Sequence, residues 1–190
     1  MKKKGLFIGI GAVILVAVII IMSAVSTYNG LVAKQEKVQN ADAQIKTYLQ
    51  RRADLIPNLV NTVKGYAAHE EEVYTALADA RAKLNSAATP AEYEEAEQSF
   101  NSALSRLLVV VENYPELKAN ENFIYLQDEL SGSENRVATA RKDYNDAVTE
   151  YNQAIRKFPA VIFAGMFGFE KAEYFEATPE SQTVPSVSFE

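Results

Sequence analysis

The 190 residues contain no cysteine. That excludes disulfides, zinc–thiolate sites, thiol catalysis and a lipid-modified cysteine anchor, and it suits any redox compartment. Tryptophan is also absent, and histidine occurs once, at His69. A zinc-protease helix needs a second histidine four residues on, where this chain has Val73. There is no nucleotide-binding glycine loop, nucleophile elbow, metal-ligand cluster or calcium loop. The sequence therefore names no reaction, no catalytic residue, no metal and no cofactor.

Charge is missing from one stretch in particular. Residues 6–25 are 20 consecutive uncharged positions, preceded by Lys2, Lys3 and Lys4. At about 1.5 Å per helical residue such a run spans roughly 30 Å, the thickness of a bilayer core. Cleaved signals have shorter apolar cores of about 7–15 residues, so the run reads as a permanent anchor, although Ala24-Val25-Ser26 resembles a weak cleavage site. The lysines on one flank favour a cytoplasmic N-terminus and an exported C-terminal domain. The remainder carries 25 acids against 16 bases, a formal charge of −9. A surface that acidic argues against nucleic acid and against broad binding to anionic lipid.

Past the span the pattern is helical. From residue 27 to about 87 apolar residues recur every seventh position: Leu31, Val38, Ile45, Arg52, Leu59, Tyr66, Val73 and Ala80. Three residues later come Ala41, Tyr48, Leu55, Thr62, His69 and Ala76. This is a heptad seam with Arg52, Thr62 and His69 as polar intruders. Pro57 should kink the helix, and the span can run directly into it. A second helix starts at Thr89, with Pro90 at its first position and Glu92 completing a capping box. Its seam is Tyr93, Phe100, Leu107 and Tyr114, and Pro115 should end it. A third helix is expected over residues 120–157, with Phe123, Leu130, Val137, Tyr144, Tyr151 and Phe158 on its seam. Strict sevenfold spacing there implies a left-handed supercoil. Pro159 stops it, and an irregular apolar and aromatic segment follows over residues 160–169.

Several groups of residues could carry function. Arg52 occupies an apolar seam position, so its guanidinium needs a buried carboxylate, with Glu112, Glu134 and Asp54 as candidates. The structural reading is an ion pair that fixes helix register; the functional one is an enzyme centred on Arg52, Asp54 and His69. Arg51, Asp54, Asn58, Asn61 and Lys64 share one helical surface and could face a partner or water. Tyr144 and Tyr151 lie a heptad apart beside Asn145 and Asn152, which suggests a core ladder or an oligomer contact. Phe163, Phe167 and Phe169 could cap the bundle, meet another subunit or touch lipid.

These residues resemble the LemA family. The resemblance is carried by residues 51–70 (RRADLIPNLVNTVKGYAAHE), 112–119 (ENYPELKA) and 134–136 (ENR). Asn122-Phe123 with residues 126–130 (LQDEL) continue it, as do the doublets Tyr28-Asn29, Tyr144-Asn145 and Tyr151-Asn152, Phe167-Gly168-Phe169 and Phe175-Glu176. The resemblance implies a bacterial single-span membrane protein with a long-helix bundle, and no established activity. Family members tend to be encoded near membrane peptidases, and some have been described with the opposite topology.

The expected architecture is all-α. Residues 1–5 form a cytoplasmic basic terminus, 6–26 a transmembrane helix, 27–176 an antiparallel bundle of three main helices, and 177–190 a flexible tail. The expected role is a non-enzymatic scaffold in the bacterial inner membrane, self-associating as a homo-oligomer. The alternative is an adaptor or accessory subunit for a membrane peptidase or other envelope enzyme.

Overall fold

The computed structural model describes residues 2–176, and the side chains of residues 9–176. The tail expected over 177–190 lies outside the described residues. Among the described residues six helices follow one another: α1 (Lys2–Lys64), α2 (Glu71–Ser86), α3 (Pro90–Val111), α4 (Pro115–Lys118), α5 (Glu121–Ala154) and α6 (Ala160–Met166). No strand occurs among the described residues. The all-α bundle expected from the periodicity is present, with more breaks than the sevenfold pattern showed.

The longest seam is broken at Gly65. The N–H groups of Tyr66 and Ala67 both bond the Val63 carbonyl at 2.9 Å, closing α1. The chain then turns until α2 begins at Glu71. Glycine is the weakest helix former after proline, so the end falls there. Tyr66 and His69, expected on a continuous seam, are consequently exposed. By contrast α1 is not interrupted at Gly30 or Pro57.

The described residues fall into two compact units, one of residues 2–41 with 146–172, the other of 42–145 with 173–176. In the first, α1 is the one helix among the described residues with a stretch apolar and long enough to cross a membrane, and none of that stretch is buried. Beyond it Leu31, Val38, Val148, Tyr151, Ile155 and Ala164 are buried. Lys34 and Lys37 reach Glu150 at 3.4 and 3.5 Å. These pairs are exposed and add little to stability.

The second unit holds the larger core. On α1 the buried line is Ile45, Leu49, Arg52, Ile56, Leu59 and Val63. The companion of each seam residue therefore stands four positions on, not three. Tyr48, Leu55 and Thr62 are only half-buried. On α3 Tyr93, Ala96, Phe100, Ala103 and Leu107 are buried as the spacing implied, joined by Glu97 and Val111. The helix ends at Val111, ahead of the expected stop at Pro115. A residue before proline is kept out of the α region, and Tyr114 adopts φ −127°, ψ 81°. Pro115 instead opens α4, where its missing N–H costs nothing.

Both long-helix starts are built as the sequence suggests. Thr89 Oγ1 accepts from the Glu92 N–H at 3.3 Å, and the Glu92 carboxylate accepts from the Thr89 and Ala88 N–H groups at 3.2 and 2.7 Å. Asn120 Oδ1 accepts from the Phe123 N–H at 3.1 Å at the head of α5. Along α5 the buried positions are Phe123, Leu126, Leu130, Ser133, Val137, Ala140, Tyr144, Val148, Tyr151 and Asn152, with Ile155 buried just past its end. Two four-residue steps in succession, Ala140 to Tyr144 to Val148, break the strict sevenfold repeat, and such an inserted step locally unwinds a supercoil. Phe158, expected on the seam, lies past the end of the helix and is 80% exposed. The segment after Pro159, expected to be irregular, is helical over Ala160–Met166.

Truncating the fully buried Leu59 to alanine should cost about 2–5 kcal/mol through lost burial and a cavity. Thr89→Ala, which removes only a cap, should cost about 1 kcal/mol. Urea unfolding of the full chain in detergent, followed by circular dichroism, ranks the two.

Candidate functional site

Arg52 is the most deeply buried charge in the second unit, at 1% exposure. The expected partners Glu112 and Asp54 are engaged elsewhere, Glu112 with Lys118 at 2.7 Å and Asp54 with the Gln50 amide at 2.9 Å. Arg52 and Asp54 are two residues apart on one helix and so point to different sides. The guanidinium instead donates to Glu97 at 3.3 Å, to Asn101 Oδ1 at 2.9 Å and to Glu134 at 3.5 Å. Its plane sits over the Phe100 ring, 4.5 Å from the centroid. Of the expected partners, Glu134 alone takes part.

Glu97 is shared between two cations, Arg52 and Arg141. Burial pushes its carboxyl above the ordinary value, against the pull of Arg141 and then Arg52. Burial likewise lowers the Arg52 guanidinium, opposed by Glu97 and Glu134. Arg141 also lies over the Phe175 ring, 5.1 Å from its centroid. Phe175 stacks on Tyr93 at 5.9 Å and meets the edge of Tyr144 at 5.1 Å. The cluster thus joins α1, α3 and α5 to the segment that follows α6. Beside it runs an open groove of about 480 Å³ whose lining includes Glu94, Gln98, Asn101 and Ser105.

Glu97, Asn101 and Arg141 escaped the sequence reading. The signal was there in the four-residue step. Glu97 stands four positions after Tyr93, as Leu49 stands after Ile45, and that line is buried.

A second polar device uses asparagine. The Asn145 amide donates to the Phe175 carbonyl at 3.0 Å and accepts from the Phe175 N–H at 2.9 Å. In the first unit Asn152 does the same with Ala172, at 2.9 and 3.0 Å. Each amide side chain stands in for the neighbouring strand that an extended residue lacks. Tyr144 and Tyr151 are buried within the chain, at 6% and 2%, and Tyr144 donates to the Glu173 carbonyl at 3.1 Å. Burial raises both hydroxyls and keeps them neutral.

The sequence pattern of the LemA family matches residues 41–189. The chain belongs to the LemA family. Among curated proteins it is similar to "Magnetosome protein MamQ 2" of Paramagnetospirillum magneticum, 28% identical over 90% of this chain and 74% of the relative. It is similar to "Magnetosome protein MamQ" of Magnetospirillum gryphiswaldense at 26%, over 90% of this chain and 72% of the relative. It is also similar to "Protein LemA" of Metamycoplasma hominis at 27%, over 79% of this chain and 69% of the relative.

In this LemA-family chain the remaining candidates do not converge with Arg52. His69 is exposed in the turn between α1 and α2, beside Glu70, Glu71 and Glu72. Among the described residues no set of three histidine, aspartate or glutamate side chains is gathered to hold a metal. Asp54, Asn58, Asn61 and Lys64 are all exposed on α1. Arg51 on the same side reaches Glu129 at 2.7 Å, and Lys64 lies over the Tyr74 ring at 5.0 Å. Phe163 and Phe169 are half-buried in the first unit, and Phe167 is 46% exposed.

Arg52→Ala leaves Glu97 short of a cation in a buried site and should destabilise the fold by about 3–5 kcal/mol. Asp54→Ala and His69→Ala should stay within about 0.5 kcal/mol of wild type. Comparable losses at all three positions in chemical unfolding would refute the assignment of Arg52 as the structural one.

The pH dependence has a definite sign. The folded value of Glu97 lies above its unfolded value, so its contribution is fullest below about 4.5 and is lost as pH rises through the raised value. Glu97→Gln mimics the protonated form. The stability advantage of wild type over this variant should shrink as the pH of unfolding is raised from about 4 to about 7; an advantage that grows over that range would contradict it.

Proposed function

We propose that this protein is a non-enzymatic, membrane-tethered helical scaffold that self-associates and organises components of a bacterial membrane. The observation that carries the reading is the Arg52 cluster. Its guanidinium is held by Glu97, Asn101 and Glu134, and Glu97 also pairs with Arg141, so the most polar place in the core is spent on packing. One apolar helix tethers the bundle, and the second unit leaves Val109, Ile124 and Tyr125 exposed at 69%, 44% and 62%. Such side chains suit contact between copies. The magnetosome-named relatives, similar over 90% of the chain, support a role in membrane organisation.

The charge asymmetry about residues 6–25 supports an N-terminus in the cytoplasm and a domain exported across the inner membrane. Because the chain lacks cysteine, a single Ser86→Cys variant reports this cleanly. A membrane-impermeant maleimide should label it in intact spheroplasts; labelling only after lysis would place the domain inside.

The second reading is an adaptor for a membrane peptidase or other envelope enzyme. It rests on the exposed row of Asp54, Asn58, Asn61 and Lys64. Native mass in mild detergent separates the two. The scaffold predicts a discrete assembly several times the 21.0 kDa chain, reduced by Val109→Asp or Tyr125→Asp. A strict monomer at membrane-like density removes self-association. In that case Lys64→Glu should abolish co-purification of a membrane partner.

A further inference from the structure

The segment around α6 is apolar on the side turned away from its own unit. Phe158, Val161, Ile162, Met166 and Phe167 are 80%, 48%, 55%, 74% and 46% exposed, whereas Ala164 is buried. Ile162 and Met166 are four residues apart in α6 and so share one face. Leaving five large apolar side chains in water within ten residues is unfavourable for a soluble surface.

The position of this segment says what covers it. Tyr28 stands three residues beyond Val25, the last residue of the uncharged run, which in a helix is about 5 Å past its end. The Phe167 and Phe169 rings meet the Tyr28 ring edge-on at 5.0 and 5.6 Å. All three belong to the same compact unit as the apolar stretch of α1. The exposed face is therefore held at the level where a bilayer crossed by α1 gives way to water. Aromatic side chains concentrate at that level in membrane proteins. The flanking charges fit as well. Arg156 and Lys157 precede the apolar face and Lys171 follows it, all exposed, against one acid, Glu170, within residues 156–171, Glu173 lying just beyond. Long basic side chains lay their stems on apolar surface and place their charge among phosphates. This local excess of bases contrasts with the acidic remainder of the domain.

We infer that α6 with its flanking residues is an interfacial membrane-binding element, lying in the headgroup region of the same bilayer that α1 crosses, with Ile162 and Met166 turned into lipid. It gives the chain a second contact with the membrane beside the span. The inference rests on α1 as the span and is independent of self-association.

The test uses the full-length chain, which offers no native thiol to interfere. Single variants Ile162→Cys and Met166→Cys carry an environment-sensitive fluorophore and are reconstituted into phosphatidylethanolamine and phosphatidylglycerol vesicles. Lipids bearing a nitroxide high or low on the acyl chain quench by depth. Val18→Cys reports the span and Ser86→Cys the water-exposed domain. Quenching at 162 and 166 should be about twofold or more stronger with the shallow nitroxide than with the deep one, as for an element buried only a few ångströms into the interface. Quenching at the Ser86 level, with Val18 quenched normally, overturns the inference and leaves the span intact. A blue-shifted signal without lipid quenching, lost on dilution into more lipid, also overturns it by showing a second copy on the face. Unquenched Val18 overturns the span and the inference together.

Discussion

A guanidinium taken out of water governs the packing of the second unit. Its desolvation costs several kcal/mol, which its charged and polar partners offset in part, Nε being left without a hydrogen bond. Arg52 finds Glu97 and Asn101 one turn apart on α3, Glu134 on α5 and the Phe100 face between them. Sliding α1 or α3 by one heptad, about two turns, would keep apolar residues facing apolar residues, since heptads repeat. It would also strand the charge. The apolar core favours burial in general, whereas the ion cluster is satisfied only where these particular side chains meet.

The same logic extends through Arg141. This residue faces the Glu97 carboxylate and the Phe175 ring, so the charge cluster and the aromatic contacts with Tyr93 and Tyr144 share members. An extended segment that follows the last helix is thereby tied to the core by charge, ring stacking and an amide clamp. Its backbone polar groups, which no strand pairs, are met at Phe175 by Asn145 and in the other unit at Ala172 by Asn152. Leaving such groups buried and unbonded would cost about 1–3 kcal/mol each.

The helical class, the capping box at Thr89 and most of the α3 seam were legible because they depend on neighbours within one turn. The long seam across Gly65 was misread because a repeat of seven continues through a turn if residue type alone is counted. Tyr66 and His69 kept the phase and lost the helix. The second line of the seam was placed three residues on instead of four, since Tyr48 and Leu55 are as apolar as Leu49 and Ile56. That one-residue difference hid Glu97. Burial of Arg52 and one of its partners, Glu134, were legible; Glu97 and Asn101 were not, because which side chains meet the guanidinium depends on how three helices pack. The doublets Tyr144-Asn145 and Tyr151-Asn152 announced a pair of repeated contacts, but nothing local showed that the contacted partner was extended backbone.

The asparagine clamps recognise main chain. Each amide engages the N–H and the C=O of a single residue, groups that every amino acid but proline presents alike. Side-chain identity at the clamped position is therefore left to other constraints. At Phe175 the ring contacts with Tyr93, Tyr144 and Arg141 supply them, whereas at Ala172 the amide clamp itself makes no demand beyond excluding proline. The hold on Ala172 thus comes from the helix residue Asn152, and the alanine side chain answers only to its half-buried surroundings.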